Sequence, residues 1–202
     1  MLKRVRVPLQ RVLGPVGAKL ATWGVSPNVV TVVGAVGVCV AALVCYPRGW
    51  LFWGSFVITI FVLSDMVDGA LARASGTTGP WGAFLDSNLD RIADSSIFAG
   101  LIWWFARGGD QPVLVGVTIF CLVAGNMVSY ARARAEGLGM RGDVGFAERT
   151  ERLIVVLTAT GLSGLGVPYI QAIGLWLLAG GTALTVAQRF AAVHRQASAA
   201  RR

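Results

Sequence analysis

The chain has 202 residues, of which 55% are hydrophobic and only 14% are charged. Ordinary soluble domains carry roughly 25% charged residues, so this composition excludes a typical soluble protein and favours a single membrane domain. The formal net charge is +8, but no nucleic-acid recognition motif accompanies it, so we do not expect a nucleic-acid partner. The three cysteines lie in apolar runs and form no CxxC pair, which argues against a disulfide framework or a cysteine metal site.

The apolar runs predict an all-α integral membrane protein with six transmembrane helices. The segment 1–24 mixes basic and apolar residues, which favours an N-terminal amphipathic juxtamembrane helix over a loose basic tail. A six-helix bundle over 25–191 follows, and 192–202 is predicted to be a basic tail, so the whole 1–202 chain forms one domain. The predicted spans cover about 28–47, 50–73, 82–107, 112–136, 150–166 and 169–191.

The basic residues predict the orientation of these spans. With six crossings, 16 of the 18 lysines and arginines fall on one side, and only Arg48 and Arg107 fall on the other. By the positive-inside rule, both termini face the cytoplasm of a cell-membrane protein. That basic face could hold anionic lipid head groups or phosphate-bearing substrates.

Four carboxylates interrupt the apolar pattern at the second and third spans. Asp65 and Asp68 are spaced i, i+3 near the end of one span, and Asp86 and Asp90 are spaced i, i+4 near the start of the next. The intervening stretch contains the glycine, threonine and proline of a turn, so we expect a hairpin that brings the pairs together. Converging carboxylates suit two Mg²⁺ ions, or Mn²⁺, about 3.5 to 4 Å apart.

Two other interpretations of the carboxylates exist. They could be helix-end acids paired with Arg73 and Arg91, although two arginines cannot neutralise four acids. They could also mark the path of a divalent-cation transporter, because ionisable residues in membranes often line ion paths. Beyond Asp94, no carboxylate continues along these spans toward Arg48 or Arg107, which disfavours a path through the membrane.

The spacing of the fixed residues resembles a known family signature. It reads Asp65, x2, Asp68-Gly69, x2, Ala72-Arg73, x8, Gly82, x3, Asp86, x3, Asp90, and resembles that of the CDP-alcohol phosphotransferases. The resemblance implies a homodimeric six-helix membrane enzyme that moves a substituted phosphate from a CDP-linked donor to an alcohol and releases CMP.

The resemblance also implies roles for individual residues. Asp65, Asp68 and Asp86 correspond to metal ligands, and Asp90 corresponds to both a ligand and the catalytic general base. Gly79 stands where the family often has threonine, and Thr78 is adjacent, so a contact there could come from the backbone, come from Thr78 or be absent. The residues that the resemblance assigns to CDP-diacylglycerol binding are Asn28, Val29, Val30, Thr31, Gly69, Arg73, Gly79 and Gly82.

A group of arginines at the ends of the last three spans suggests the acceptor. The guanidinium fork suits a dianionic phosphate, although arginines here could also serve membrane topology alone. The stretch "ARAEGLGMRGDVGFAERTERL" resembles the phosphatidylinositol phosphate synthases of actinobacteria, which implies inositol phosphate (1D-myo-inositol 3-phosphate) as the acceptor. A related enzyme that uses glycerol 3-phosphate, a phosphatidylglycerophosphate synthase, is the alternative. The predicted acceptor-phosphate residues are first Arg132, Arg152 and Arg189, then Arg134 and Arg149.

Overall fold

A computed structural model of the protein describes residues 26–75 and 79–199, apart from the side chains of residues 64–75. Every regular element of this described part is helical. The predicted amphipathic segment 1–24 lies outside it, as do residues 200–202 at the end of the predicted basic tail. The helices are α1 Pro27–Cys45, α2 Leu51–Ser75, α3 Pro80–Arg107, α4 Pro112–Glu136, α5 Arg149–Gly164 and α6 Ile170–Ala199, with a 3₁₀ turn at Tyr46–Arg48.

The six helices follow the six predicted spans closely. Eleven of the twelve ends lie within two residues of the prediction, and α6 continues to Ala199, eight residues past the predicted end. Pro27, Pro80 and Pro112 each stand at the first position of a helix, where the missing N–H has no intrahelical partner to lose. Helix-breaking residues in the sequence, above all proline, therefore set most of the helix boundaries.

Among the described residues, three helical segments are individually long and apolar enough to cross a membrane, by length and composition: Pro27–Arg48, Pro112–Glu136 and Ile170–Ala199. Helix α3 falls outside this group because it carries Asp86, Asp90, Arg91 and Asp94. Helix α5 has 16 residues, which span about 24 Å against a hydrocarbon core of roughly 30 Å. The chain thus has the helices of a membrane protein.

The chain divides into two compact units. The first contains the described residues up to Leu43 together with Phe56–Ile97. Within it, Gly37 of α1 lies against the ring of Phe61 of α2, and the Ser96 hydroxyl donates to the Cys39 sulfur at 3.2 Å. Small residues thus allow α1 to approach its neighbours closely, as is common between helices in membranes.

The second unit consists of Val44–Ser55 and the chain from Phe98 onward. Here α6 packs against both α4 and α5, and Gly174 of α6 lies directly against Ala159 of α5. Buried hydroxyls are satisfied within the helices, since Thr118 donates to the Leu114 carbonyl and Thr182 to the Leu178 carbonyl. Such internal bonds let polar side chains sit in apolar surroundings.

The outer surface of α1 is apolar. Val29, Val33, Val36 and Val40 recur at helical spacing, and each is more than half exposed. A continuous apolar stripe of this kind is rare on the surface of a soluble monomer. It fits a helix face that contacts lipid.

Candidate active site

The signature aspartates occupy matching positions along α2 and α3. Helix α2 ends at Ser75 and α3 begins at Pro80, so only four residues join them. Asp68 and Asp86 lie seven and six residues from these helix ends, or about 10 Å along each helix axis. Asp65 and Asp90 lie ten residues from the same ends, or about 15 Å. Asp68 and Asp86 thus lie at similar distances from the loop that joins the helices, and so do Asp65 and Asp90.

The described carboxylates of α3 are partly shielded from solvent. Asp86 is half-buried, and the side chain of Asp90 is 15% exposed. A guanidinium nitrogen of Arg91 lies 3.8 Å from an Asp90 carboxylate oxygen, and Arg91 also donates to the Ser87 carbonyl. Asp90, the predicted general base, is therefore within ion-pair distance of a cation.

Two of the four predicted metal ligands, Asp86 and Asp90, have described side chains. The side chains of Asp65 and Asp68 lie outside the described part. Among the described side chains, no three histidine, cysteine, aspartate or glutamate residues are grouped so that they could hold a metal ion. Asp86 and Asp90 do fit a metal site chemically, because they offer carboxylate oxygens one helical turn apart, the donor type that Mg²⁺ prefers. The four-aspartate metal site stays a prediction.

Two of the predicted donor-binding residues lie close together at the helix starts. A Cβ atom placed on Gly82 would be 3.4 Å from the side-chain oxygen of Asn28. Nearby on α1, Thr31 is buried and donates to the Pro27 carbonyl at 3.1 Å, whereas Val29 is exposed. The beginnings of α1 and α3 therefore form one polar corner.

The remaining donor-binding predictions have less structural support. A Cβ atom on Gly79 would meet no atom within 4 Å among the described residues, so none of those residues requires glycine there. Val30 is half-buried. The side chain of Arg73 and the surroundings of Gly69 lie outside the described part.

Arg189, one of the predicted acceptor arginines, is buried and hydrogen-bonded. Its side chain is 2% exposed. Its Nε atom donates to the Val144 carbonyl at 2.8 Å, and its Nη1 atom donates to the Val128 carbonyl. Its Nη2 atom lies 3.8 Å from a carboxylate oxygen of Glu148. Arg189 thus joins α6, α4 and the loop before α5.

Arg152 is also buried, at 4% exposure. It donates to the Ala147 carbonyl at 3.2 Å, and a Cβ atom on Gly125 would lie 3.3 Å from its Nε atom. A side chain at this point of α4 would require the Arg152 guanidinium to move by a few tenths of an ångström. Gly125 therefore has a structural role that its neighbours in sequence did not suggest.

The other three predicted arginines are less buried. Arg132 donates to Glu136 at 2.9 Å and lies 3.7 Å from the same Glu148 oxygen that faces Arg189. Arg134 is exposed and Arg149 is half-buried. The structure therefore links Arg132 and Arg189 through one carboxylate, and it records no such link to Arg134.

Hydrogen bonds attach the loop 141–147 to α6 at three positions along the helix. Gln196 exchanges two hydrogen bonds with the backbone of Arg141, and Arg189 holds the Val144 carbonyl. The hydroxyl of Thr185 accepts a hydrogen bond from the Ala147 N–H at 3.2 Å. These contacts determine the position of Glu148 and of the first turn of α5.

A cavity of about 470 Å³ lies beside this loop. Its only charged lining residue is Arg195, and none of the predicted site residues lines it. The lining residues are Val144, Gly145, Phe146, Gln188, Ala191 and Arg195.

Sequence reasoning overlooked Glu148 and Gly125. Glu148 stands in the same "FAERTER" stretch as the predicted arginines, and a carboxylate so close to a basic cluster was an available signal. Gly125 lies inside an apolar helix, where nothing in the sequence marks it as the neighbour of Arg152.

Comparison with known proteins places these features in a family. Residues 24–187 match the CDP-alcohol phosphatidyltransferase family. The phosphatidylinositol phosphate synthase of Streptomyces avermitilis is 51% identical over 98% of this chain and 84% of its own length.

Solved structures agree with this comparison. The crystal structure of the Mycobacterium tuberculosis phosphatidylinositol phosphate synthase with CDP-DAG bound has a TM-score of 0.88 and 44% identity. The match covers 91% of this chain and 94% of that one. The same synthase in complex with manganese and citrate gives a TM-score of 0.87 at 43% identity, over 90% of this chain and 88% of that one. The chain therefore belongs to the CDP-alcohol phosphatidyltransferase family.

Proposed function

We propose that this chain transfers a phosphatidyl group from CDP-diacylglycerol to inositol phosphate, giving phosphatidylinositol phosphate and CMP. The observation that carries the proposal is the pair of buried arginines, Arg152 and Arg189, the second of which lies 3.8 Å from a carboxylate oxygen of Glu148. Buried guanidinium groups bind phosphate oxygens well, so this site suits an acceptor that carries a phosphate group. The 51% identical relative that bears the synthase name supports this choice of acceptor.

The proposed reaction is a displacement at the donor's diphosphate. A hydroxyl oxygen of the acceptor forms a bond to the phosphorus that carries diacylglycerol, and the bond from that phosphorus to the CMP oxygen breaks. Asp90 accepts the proton of the attacking hydroxyl. Its 15% exposure and its place one turn from Asp86 suit a base in a sheltered site.

The four aspartates have a second proposed role. Asp65, Asp68, Asp86 and Asp90 would hold two Mg²⁺ ions, with Mn²⁺ as the alternative, and bound ions would stabilise the negative charge that develops on the diphosphate oxygens. The manganese complex of the Mycobacterium tuberculosis synthase supports a divalent metal.

The donor is proposed to lie over the corner formed by the starts of α1 and α3. Asn28, Thr31 and Gly82 border this corner on the described residues. Gly82 lets a nucleotide approach the backbone because it has no Cβ atom. Val29, Val30, Gly69, Arg73 and Gly79 complete the proposed donor contacts.

The acceptor phosphate is proposed to bind Arg132, Arg152 and Arg189, with Arg134 and Arg149 at the periphery. Arg152 and Arg189 are held by backbone carbonyls, so they would present fixed charges. Fixed donors lose little conformational freedom when an anion binds.

The proposed setting is a cell membrane that the chain crosses six times, with both termini and the active site in the cytoplasm, as a homodimer. The three apolar helices support membrane insertion, and the distribution of lysine and arginine supports the orientation. At the opposite ends, Arg48 lies over the ring of Trp50 and Arg107 over the ring of Trp103, a pairing typical of a membrane interface.

An acceptor comparison tests the proposal. Purified protein receives CDP-diacylglycerol, Mg²⁺ and one of inositol phosphate, glycerol 3-phosphate or free inositol, and CMP release is followed. We expect rapid release with inositol phosphate only. Faster release with glycerol 3-phosphate would assign the chain to the alternative acceptor. Mg²⁺ flux into proteoliposomes without CMP formation with any acceptor would reject the enzyme.

A further inference from the structure

We infer that Glu148 is a stand-in for the acceptor's phosphate: its carboxylate occupies the place between Arg132 and Arg189 until a phosphate displaces it. The inference rests on the proposed function and adds a specificity-determining residue to the same site. It is carried by one oxygen of Glu148, which lies 3.7 Å from Arg132 Nη1 and 3.8 Å from Arg189 Nη2.

Glu148 is not engaged as a helix cap. It stands at the N-cap position of α5 with an extended backbone (φ −71°, ψ 176°), and its side chain makes no capping hydrogen bond. Its backbone carbonyl does accept the first helical bond, from the Arg152 N–H at 3.1 Å. The backbone therefore fixes the position of Glu148 while its carboxylate faces the two arginines.

The contacts of this carboxylate are loose. Both distances exceed hydrogen-bond length, and the Glu148 side chain is 48% exposed. Ion pairs that are open to water are weak and exchange readily. Arg189, in contrast, is anchored by the carbonyls of Val144 and Val128. An incoming anion would therefore displace the glutamate and leave the guanidinium in place.

The chemistry of the exchange favours a dianion. A carboxylate and a phosphate repel each other at this range, so the two arginines cannot hold both close together. A phosphate brings up to two charges and three acceptor oxygens, and can outcompete one carboxylate oxygen. A neutral alcohol has no group that can replace Glu148. The glutamate would thus make the site selective for phosphate-bearing acceptors.

Glu136 provides a matched control. It contacts Arg132 more closely than Glu148 does, at 2.9 Å, and its charge acts on Arg189 only at longer range, without a recorded hydrogen bond or ion pair. Glu136→Gln and Glu148→Gln remove the same charge from the same region. A general electrostatic effect would change both variants equally, whereas displacement of a stand-in concerns Glu148 alone.

The experiment uses purified full-length protein in detergent, with inorganic phosphate as the probe. The phosphate concentration that half-saturates the rise in melting temperature is measured for the unmodified protein, Glu148→Gln, Glu148→Ala and Glu136→Gln. We expect this concentration to fall about two- to tenfold in both Glu148 variants and to change less than about twofold in Glu136→Gln. The KM for inositol phosphate should fall in parallel, with the donor KM unchanged.

Three results would overturn the inference: unchanged or weaker phosphate binding in the Glu148 variants, an equal gain in Glu136→Gln, or a donor KM that changes as much as the acceptor KM. The phosphate measurement needs no turnover. If the unmodified protein does not use inositol phosphate, the proposed acceptor fails, while the comparison of Glu148 and Glu136 still decides the role of the glutamate.

Discussion

The side-chain oxygen of Asn28 lies against Gly82, where an added Cβ atom would be 3.4 Å away. Farther along the same helices, Ser96 bonds to Cys39. The contacts pair 28 with 82 and 39 with 96, so α1 and α3 run in the same direction. The start of α1 is thereby held next to the signature residues of α3.

Gly82→Ala should leave the fold intact and weaken donor binding. A contact at 3.4 Å is tolerable, so we expect little change in melting temperature, while the methyl group occupies the space proposed for the nucleotide. The donor KM should rise about tenfold or more with an unchanged acceptor KM. Gly180→Ala, where a Cβ would meet no described atom within 4 Å, is the control. Equal donor KM values for both variants would remove Gly82 from the donor site.

Asp90→Asn should lose turnover while retaining the donor. The amide cannot accept the hydroxyl proton, and loss of a positioned base costs about 10²- to 10⁴-fold in rate. CMP release measures the rate, and thermal stabilisation by CDP-diacylglycerol measures donor binding. Asp94→Asn, one turn farther along α3, should keep at least a tenth of the activity. Near-normal turnover in Asp90→Asn would contradict the assignment of the base.

Gly125→Ala should disturb the acceptor site through Arg152. The new methyl group would stand 3.3 Å from the Nε atom of a buried guanidinium, which must then shift. We expect the acceptor KM to rise about three- to tenfold, and the donor KM to stay constant. Gly116→Ala in the same helix meets no described atom within 4 Å and should gain up to about 1 kcal/mol from helix propensity alone. If Gly125→Ala behaves like Gly116→Ala in both KM and stability, Arg152 is not constrained there.

Arg189→Ala should reduce stability as well as acceptor affinity. The substitution leaves the carbonyls of Val144 and Val128 without this donor, so we expect a loss of about 2 to 4 kcal/mol in unfolding free energy. Unfolding followed by tryptophan fluorescence measures it. Arg134→Ala, at an exposed position, should change stability by no more than about 0.5 kcal/mol. Equal stability of the two variants would show that Arg189 does not fasten the loop to α6.

Local sequence features predicted much of this fold. Apolar runs bounded by proline and glycine predicted all six helices, because those residues act within a turn of their own position. The end of α6 was missed because nothing breaks the helix before Ala199, and basic residues after 191 suggested a tail.

The arrangement around the arginines could not be predicted in the same way. Arg189 bonds to carbonyls 45 and 61 residues away in sequence, and any residue type can supply a backbone carbonyl. The contact between Gly125 and Arg152 likewise depends on how α4 and α5 pack. The sequence indicated which arginines to consider, but not which are held rigidly by the backbone.

Isotope tracing tests the central claim most directly. Inositol phosphate labelled with ³²P is incubated with CDP-diacylglycerol, Mg²⁺ and the purified protein, and both the lipid-phase label and the released CMP are measured. In the proposed reaction the acceptor keeps its phosphate, so one labelled phosphate should enter the lipid for each CMP formed. CMP released while the label stays in the aqueous phase would contradict the transfer of a phosphatidyl group to inositol phosphate.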